Sequence, residues 1–339
     1  MTADPEYRRD PVTGRWVVVA PERSHRPMAL GGAAPGGRAE GEPRPCPFCP
    51  GQEHDTPHEV YAVRDPGGVP DGPGWRLRVV PNKFPAVREG LGLAAAETDD
   101  LFARAPGAGR HEVVIESADH VTNPAALADD EFRAVFLAYR DRLAAFAADP
   151  TLRYAAVFKN VGAAAGASLG HCHSQVVGTP LVPDLIVREL RGAEAYFART
   201  GRCVFCDVIA RDRPDGSRVV AETPHFVAVT AFAGRFSYET WVLPKAHAGG
   251  YETAEPDAVG ELAGLMKRVA RALDAVLAGP AYNWYLHTAP LRAGGLPHYH
   301  WHFEVIPRAS RPAGFEWGSG CFVNAVSPER AAADLRAAV

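Results

Sequence analysis

No stretch of this 339-residue sequence approaches the length of a membrane span. The N-terminal MTADPEYRRDPVTGRW has no apolar core that could serve as a signal peptide. Together these absences predict a cytoplasmic protein with no membrane partner. Net charge is also scarce: 36 Lys and Arg against 40 Asp and Glu leave a formal −4, which gives no electrostatic case for a nucleic-acid partner. A small anionic ligand remains open, because a local site can be basic. Cysteine is sparse, at six residues. Lasting disulfides are uncommon in a reducing compartment, so cysteines that come in pairs need a metal or redox explanation.

The length exceeds the usual range of one compact core, so two packed domains or a duplicated fold is expected. Residues 31–45, rich in Gly, Ala and Pro, have almost nothing to bury and read as a mobile surface segment. Short β-branched runs predict strands over 15–20, 75–80, 111–116 and 154–159. Between the last two, Phe132, Val135, Phe136, Tyr139, Leu143 and Phe146 recur at helical spacing, with Asp129 or Asp130 as N-cap and Pro150 just beyond the end. The second half repeats this order. Strands are predicted over 226–230, 240–243, 283–287 and 301–306, with a helix carried by Leu262, Leu265, Met266, Val269, Leu273 and Val276. The polar residues repeat too: Cys46-Pro47-Phe48-Cys49 leads to His171-Cys172-His173, and Cys203-Val204-Phe205-Cys206 leads to His298-Tyr299-His300-Trp301-His302. The fold expected is α+β, an internal duplication of two halves, each an antiparallel sheet with a helix against one face. The boundary falls near residue 195, giving domains 1–195 and 196–339.

A Cys-x-x-Cys pair puts two thiolates on one tight turn, where they can share a tetrahedral zinc with distant histidines. A thioredoxin-like redox pair would instead have a helix directly after it. Both pairs here sit in turn-rich context and each half supplies histidines, which favours zinc. Phe48 and Phe205 would pack beneath the two turns. For the first site the remaining ligands come from His54, His58, His111, His120 and His171, and spacing does not choose among them. For the second, His247 follows a strand, and His298, His300 and His302 share one strand face by alternation.

The small-residue run Asn160 to Gly170 follows a strand and precedes His171-Cys172-His173-Ser174-Gln175. Such a loop, Gly166-Ala167-Ser168-Leu169 included, lets backbone amides approach phosphate oxygens. On an extended strand His171, His173 and Gln175 face one way, toward that loop. A neutral imidazole can attack a phosphorus and leave again, dividing one transfer into two steps. Gln175 can donate to the phosphoryl oxygens.

These residues resemble the galactose-1-phosphate uridylyltransferase family, the transferase branch of the histidine-triad superfamily, over nearly the whole chain. The mark is His-x-His-x-Gln, matched by His171, His173 and Gln175. The resemblance makes His173 the nucleophile and His171 a zinc ligand together with Cys46, Cys49 and the histidine of the Ser117-Ala118-Asp119-His120 turn. The chain most resembles the ADP-glucose phosphorylase branch. It shares with that branch the run from Phe158 to Gln175, the second Cys-x-x-Cys, the Pro244-Lys245-Ala246-His247 turn and Gly314-Phe315-Glu316. This implies a second zinc at Cys203, Cys206, His247 and His300, two per chain, whereas strict internal symmetry would match His171 with His298. Arg23, Arg26, Asp55, Thr56, Pro57, Asn82 and Asn160 match nucleotide or phosphate contacts, and Phe315 with Glu316 a strand from the far half that closes over the sugar.

Two features depart from the pattern. Cys172 stands where the uridylyltransferases carry proline, and a phosphorylase relative has serine there. His298, His300 and His302 superficially form the hydrolases' triad, but only Gly294-Gly295 precedes them, so the second half is expected to bind metal without catalysis. The resemblance implies ping-pong transfer of a nucleoside monophosphate from a nucleotide sugar to a sugar 1-phosphate or inorganic phosphate, in a homodimer. Uridylyl transfer to galactose 1-phosphate heads the expectation, followed by ADP-glucose phosphorolysis. A histidine-triad hydrolase using His300 and a non-catalytic zinc scaffold are the remaining readings.

Overall fold

The computed structural model describes residues 4–25, 45–92, 97–98 and 101–339. The expected mobile run 31–45 lies outside them apart from Pro45, and so does Arg26. In chain order the elements are β1 (Glu6–Arg9), β2 (Trp16–Val19), β3 (Tyr61–Arg64), β4 (Trp75–Pro81), β5 (Glu97–Thr98), β6 (Ala103–Pro106), β7 (Arg110–Ile115) and α1 (Asp129–Ala147). They continue with β8 (Tyr154–Val161), β9 (His173–Thr179), α2 (Asp184–Thr200), α3 (Val204–Asp215), β10 (Val219–Glu222), β11 (Phe226–Thr230) and β12 (Thr240–Pro244). The last are α4 (Pro256–Leu277), β13 (Tyr282–His287), β14 (His302–Pro307), α5 (Gly314–Ser319) and α6 (Pro328–Arg336).

Ten strands form one antiparallel sheet in the order β10-β11-β12-β14-β13-β8-β9-β7-β4-β3, and a small separate sheet has the order β2-β1-β6-β5. Counted outward from the β8–β13 seam, the first half runs β8, β9, β7, β4, β3 and the second β13, β14, β12, β11, β10. The helix α1 precedes β8 as α4 precedes β13. Each half therefore lays down matching elements in the same chain order, which is the expected duplication seen in space. At the seam Asn160 is opposite Asn283 and Val161 opposite Tyr282. The expected boundary near residue 195 falls inside α2.

Helical spacing puts Phe132, Val135, Phe136, Tyr139, Leu143 and Phe146 on the buried stripe of α1. Leu262, Leu265, Met266, Val269 and Leu273 do the same on α4. Both stripes belong to one core with Val79, Val114, Val157 and Val176 of the first half and Trp284, Phe303 and Val305 of the second. Strand alternation sends the intervening residues to the other face. On β11, Phe226 and Ala228 join the α1–α4 core, whereas Val227 and Val229 pack with Phe205 and Ile209 of α3 and Ala193 of α2. The second half thus has helices on both faces. In the first half the face away from α1 carries Trp75, Val80, Val113 and Ile115, packed by Phe48 of the first cysteine turn.

The N-cap of α1 is Ala128 and not Asp129 or Asp130. Glu131 accepts the Ala128 N–H at 2.9 Å, while Asp129 is drawn outward to Lys267 at 2.5 Å. The last strand begins at His302, so His298 lies in a turn and not beside His300 and His302 on one strand face. Phe315 and Glu316 lie in the short helix α5 and not in a strand. No helix among the described residues is long and apolar enough to cross a membrane.

Phe136 touches Phe132, Tyr139, Trp284 and Phe303 at ring-centroid distances of 5.3, 5.3, 6.1 and 5.4 Å, so it binds α1 to the strands of the second half. Phe136→Ala should lower the unfolding free energy by about 3–5 kcal/mol in urea titration, the usual cost of emptying a buried phenyl site.

Candidate functional site

Cys46 and Cys49 sit on a tight turn closed by the Cys49 N–H to the Cys46 carbonyl at 3.0 Å. Cys49 Sγ lies 3.3 Å from His120 Nδ1 and 3.7 Å from His171 Nδ1, and Cys46 Sγ is 3.7 Å from His171 Nδ1. These spacings match the roughly 3.6 Å sulfur-to-nitrogen edge that zinc bond lengths give a tetrahedron. His171 Nε2 donates to the Ser117 carbonyl at 2.9 Å, which turns Nδ1 to the thiols. Burial holds the His171 imidazole below its ordinary pKa, in the neutral form a metal needs. Of the other histidines considered, His58 is exposed and bonded to Asp71, and His54 is exposed. His111 faces Gln175 instead.

The second set joins Cys203, Cys206, His247 and His300, whose ligand atoms all lie within 4.8 Å of one another. Cys206 Sγ is 3.6 Å from both His247 Nδ1 and His300 Nδ1. His300 Nε2 donates to the Pro244 carbonyl at 2.8 Å, as His171 does to Ser117. In space, therefore, His171 corresponds to His300 and not to His298. One expectation fails locally: Cys203 caps α3, so this pair opens a helix as a redox pair would. The two converging imidazoles nevertheless complete a four-donor set, which a dithiol redox site has no use for.

The pairing of β9 with β7 on one side and β8 on the other holds His173 and Gln175 on the face away from α1, while Val176 enters the core. His171 and Cys172 precede β9 and are not part of it. His173 Nδ1 lies 2.8 Å from the His171 carbonyl oxygen. A carbonyl can only accept, so Nδ1 carries the proton and the lone pair is on Nε2. Phe48 lies 5.3 Å from the His173 ring and Phe205 5.0 Å from the His302 ring, so both phenyls pack as expected beneath their turns.

His173 and Gln175 line a cleft with Phe48, Asp55, Thr56, Pro57, Val80, Asn82, Lys83, Phe84, Val113, Ser168 and Leu169. Its walls of Phe48, Phe84 and Val80 suit a flat apolar group such as a base. A second groove, lined by Thr122, Asn123, Asn160, Gly162, Asp274 and the segment 167–173, shares Ser168, Leu169 and His173 with the first. Arg23 reaches the rim by donating to the Phe84 carbonyl at 2.6 Å. Asn160 is bound across the seam: Asn283 donates to its Oδ1 at 2.7 Å and to the Ala165 carbonyl at 2.9 Å. Gly166 adopts φ 90°, which a side chain would resist. The amides of Gly166 and Ala167 close the loop's own turns onto Ala163 and Gly162. Phe315 and Glu316 do not line the cleft, and Phe315 is 62% exposed.

Sequence reasoning missed the support behind β9. Lys159, fully buried, donates to Glu116 at 2.5 Å and to the His173 carbonyl at 3.2 Å. A charge at position 159 on a strand gives no hint of burial, because its partner lies 43 residues away. The symmetric position of the second half is different. His302 is fully buried, and Glu304 stands where Gln175 stands in the first half. Burial raises the Glu304 carboxyl, but the hydrogen bond with His302 and the nearby His287 and Arg235 outweigh it and bring it down to about 2. Glu189, His287, His302 and Glu304 form a third converging group.

Over residues 1–183 the chain matches the family described as galactose-1-phosphate uridyl transferase, N-terminal domain. The chain belongs to that family. Residues 93–338 also match a domain of unknown function, DUF4921. It is 35% identical to the ADP-glucose phosphorylase of Arabidopsis thaliana over 98% of this chain and 92% of that one. It is 25% identical to the galactose-1-phosphate uridylyltransferase of Thermotoga maritima over 98% of both. Among solved structures, an ADP-glucose phosphorylase from Arabidopsis thaliana with bound ADP-glucose superposes with a TM-score of 0.77 at 34% identity, covering 98% of each chain. A uridylyltransferase superposes at 0.81 and 27%, again covering 98% of each. Membership makes this protein a nucleotidyltransferase acting on sugar phosphates.

Lys159→Met leaves the Glu116 carboxylate buried without its cation and should cost about 3–5 kcal/mol of unfolding free energy. Pairing it with Glu116→Leu should restore most of that loss in the same urea titration.

Proposed function

We propose that His173 carries a nucleoside monophosphate between a nucleotide sugar and a phosphate acceptor. The observation that carries this reading is the His173 tautomer: Nδ1 donates to the His171 carbonyl, so the lone pair that would attack is on Nε2, on a residue that lines both grooves. The first groove would take the nucleoside, with Asp55, Thr56, Pro57 and Asn82 at its wall and Arg23 at its rim; Arg26 is kept as a nucleotide contact on the resemblance alone. The second would take the sugar phosphate, with Asn160 and the loop Gly166-Ala167-Ser168-Leu169 between them.

In the first step Nε2 attacks the phosphorus bonded to the nucleoside. The phosphorus–oxygen bond to the sugar phosphate breaks and sugar 1-phosphate leaves. In the second, an oxygen of the acceptor phosphate attacks the same phosphorus and the phosphorus–nitrogen bond breaks, restoring neutral His173. Gln175 donates to the non-bridging oxygens as charge develops. Zinc would be held by Cys46, Cys49, His120 and His171, and by Cys203, Cys206, His247 and His300. Its contribution is to fix each cysteine turn against its histidine segment.

The greater identity to the ADP-glucose phosphorylase favours ADP-glucose as donor and inorganic phosphate as acceptor. Uridylyl transfer between UDP-glucose and galactose 1-phosphate is the second reading, supported by the family match. A hydrolase using His300 is disfavoured, because that imidazole is fully buried with Nδ1 turned to Cys206. Catalysis is assigned to residues 1–195 and a non-catalytic metal-binding role to 196–339. The exposed Phe315 and the half-buried Glu316 would act on the sugar of a second copy in a cytoplasmic homodimer.

Without acceptor, labelled ADP-glucose should leave acid-labile, base-stable label on the protein, and more of it than UDP-glucose leaves. The reverse order would support uridylyl transfer. His173→Asn should abolish the label, and label surviving in that variant would overturn the mechanism. Metal analysis should find about two zinc ions per chain, with Cys46→Ser and Cys203→Ser each losing about one.

A further inference from the structure

His111 was a candidate metal ligand by residue type, yet it lies in neither cysteine cluster. It is buried on β7, where its Nδ1 accepts the Ala86 N–H at 2.9 Å. An imidazole nitrogen that accepts has its lone pair there, so the proton of neutral His111 is on Nε2. That nitrogen is 2.8 Å from Gln175 Oε1. A second group is oriented the same way. Asn82 Oδ1 accepts the Phe84 N–H at 2.8 Å, which fixes which end of its amide is which. Its Nδ2 then points inward, 3.5 Å from Gln175 Oε1 and 3.1 Å from His111 Nε2. The two N–H groups lie side by side, aimed at one oxygen.

Two backbone amides, Ala86 and Phe84, thus set the polarity of His111 and Asn82, and these in turn set Gln175. With Oε1 taken by two donors, the Gln175 amide can present only its N–H groups elsewhere. A flipped amide would put a carbonyl oxygen against a phosphoryl oxygen and face two N–H donors with its own NH2 group. We propose that His111 is a positioning residue that, with Asn82, fixes the Gln175 amide so that its N–H donors face the phosphoryl group carried on His173. The last clause rests on the transfer reaction proposed above, whereas the orientation itself does not.

Two measurements test it. In the free protein with 15N-labelled histidine, the His111 resonances, assigned by their loss in His111→Phe, should show a protonated Nε2 and an unprotonated Nδ1. A protonated Nδ1 overturns the proposal whether or not the protein transfers nucleotides. In single-turnover labelling of His173, His111→Phe and Gln175→Ala should each slow the step about 100-fold, the lower end of the range for losing a transition-state donor. The double variant should be no slower than the slower single one, because both remove the same donor. His111→Gln, which keeps an N–H donor, should recover most of the rate. Losses that multiply in the double variant, or an unchanged rate in His111→Phe, overturn the proposal. A wild-type chain that takes no label overturns the transfer reaction, and the tautomer then decides the orientation alone.

Discussion

His173 donates from Nδ1 to the carbonyl oxygen of His171, two residues back in its own chain. This bond decides which nitrogen of the imidazole carries the lone pair, and it can form only if the His171 carbonyl is held in place. His171 is held at three points: Nδ1 lies against both thiols, Nε2 donates to Ser117, and the next residue's N–H, that of Cys172, donates to Val121 at 2.7 Å. Behind β9, Lys159 grips the His173 carbonyl while Glu116 neutralises it. The cysteine cluster, the Ser117 turn and the buried ion pair converge on a seven-atom stretch of backbone. The His173 imidazole is therefore held in one orientation and one tautomer, the kind of preorganisation that removes reorganisation from a chemical step.

The second half shows the same scaffold with a different side chain at the position that matches Gln175. Its cysteine set, its histidine turned to a carbonyl and its phenyl beneath the turn repeat those of the first half. His302 also directs Nδ1 to the carbonyl two residues back, at 3.2 Å. Glu304 puts a carboxylate where the first half has the Gln175 amide, and Arg235 pairs with it at 2.6 Å. The cover of α2 and α3 then buries His302 completely. What the second half still supplies is framework: β13 completes the sheet beside β8, and Asn283 reaches across to hold Asn160 and the loop that follows it.

Elements with strong local signals were legible in the chain. The stripe from Phe132 to Phe146 and that from Leu262 to Leu273 are buried as their spacing required, and Phe226–Thr230 is a strand as read. The beginnings of β9 and β14 were not legible. Extended sequence reads alike on both sides of the point where the ladder starts, so His171, Cys172, His298 and His300 were read as strand residues. Nor was α5, where a glycine and an aromatic pair favour neither state by composition. His111 and Lys159 were visible as residues but not as parts of the site. Their roles rest on bonds to Gln175 and Glu116, 64 and 43 positions distant.

Sequence alone therefore determined the local chemistry: two thiol pairs on tight segments, a histidine two residues from another, an amide two further on, and the helical and strand periods that repeat in each half. These follow from spacing within a few residues, which covalent geometry fixes. Only the tertiary structure decided which histidine joins which thiols, which nitrogen of His173 carries the proton, which end of Gln175 faces inward, and in which half the matching histidine lines a cleft. Each of those depends on donors and acceptors brought together by antiparallel register across long stretches of chain. A hydrogen bond's direction is a property of the pair, not of either residue.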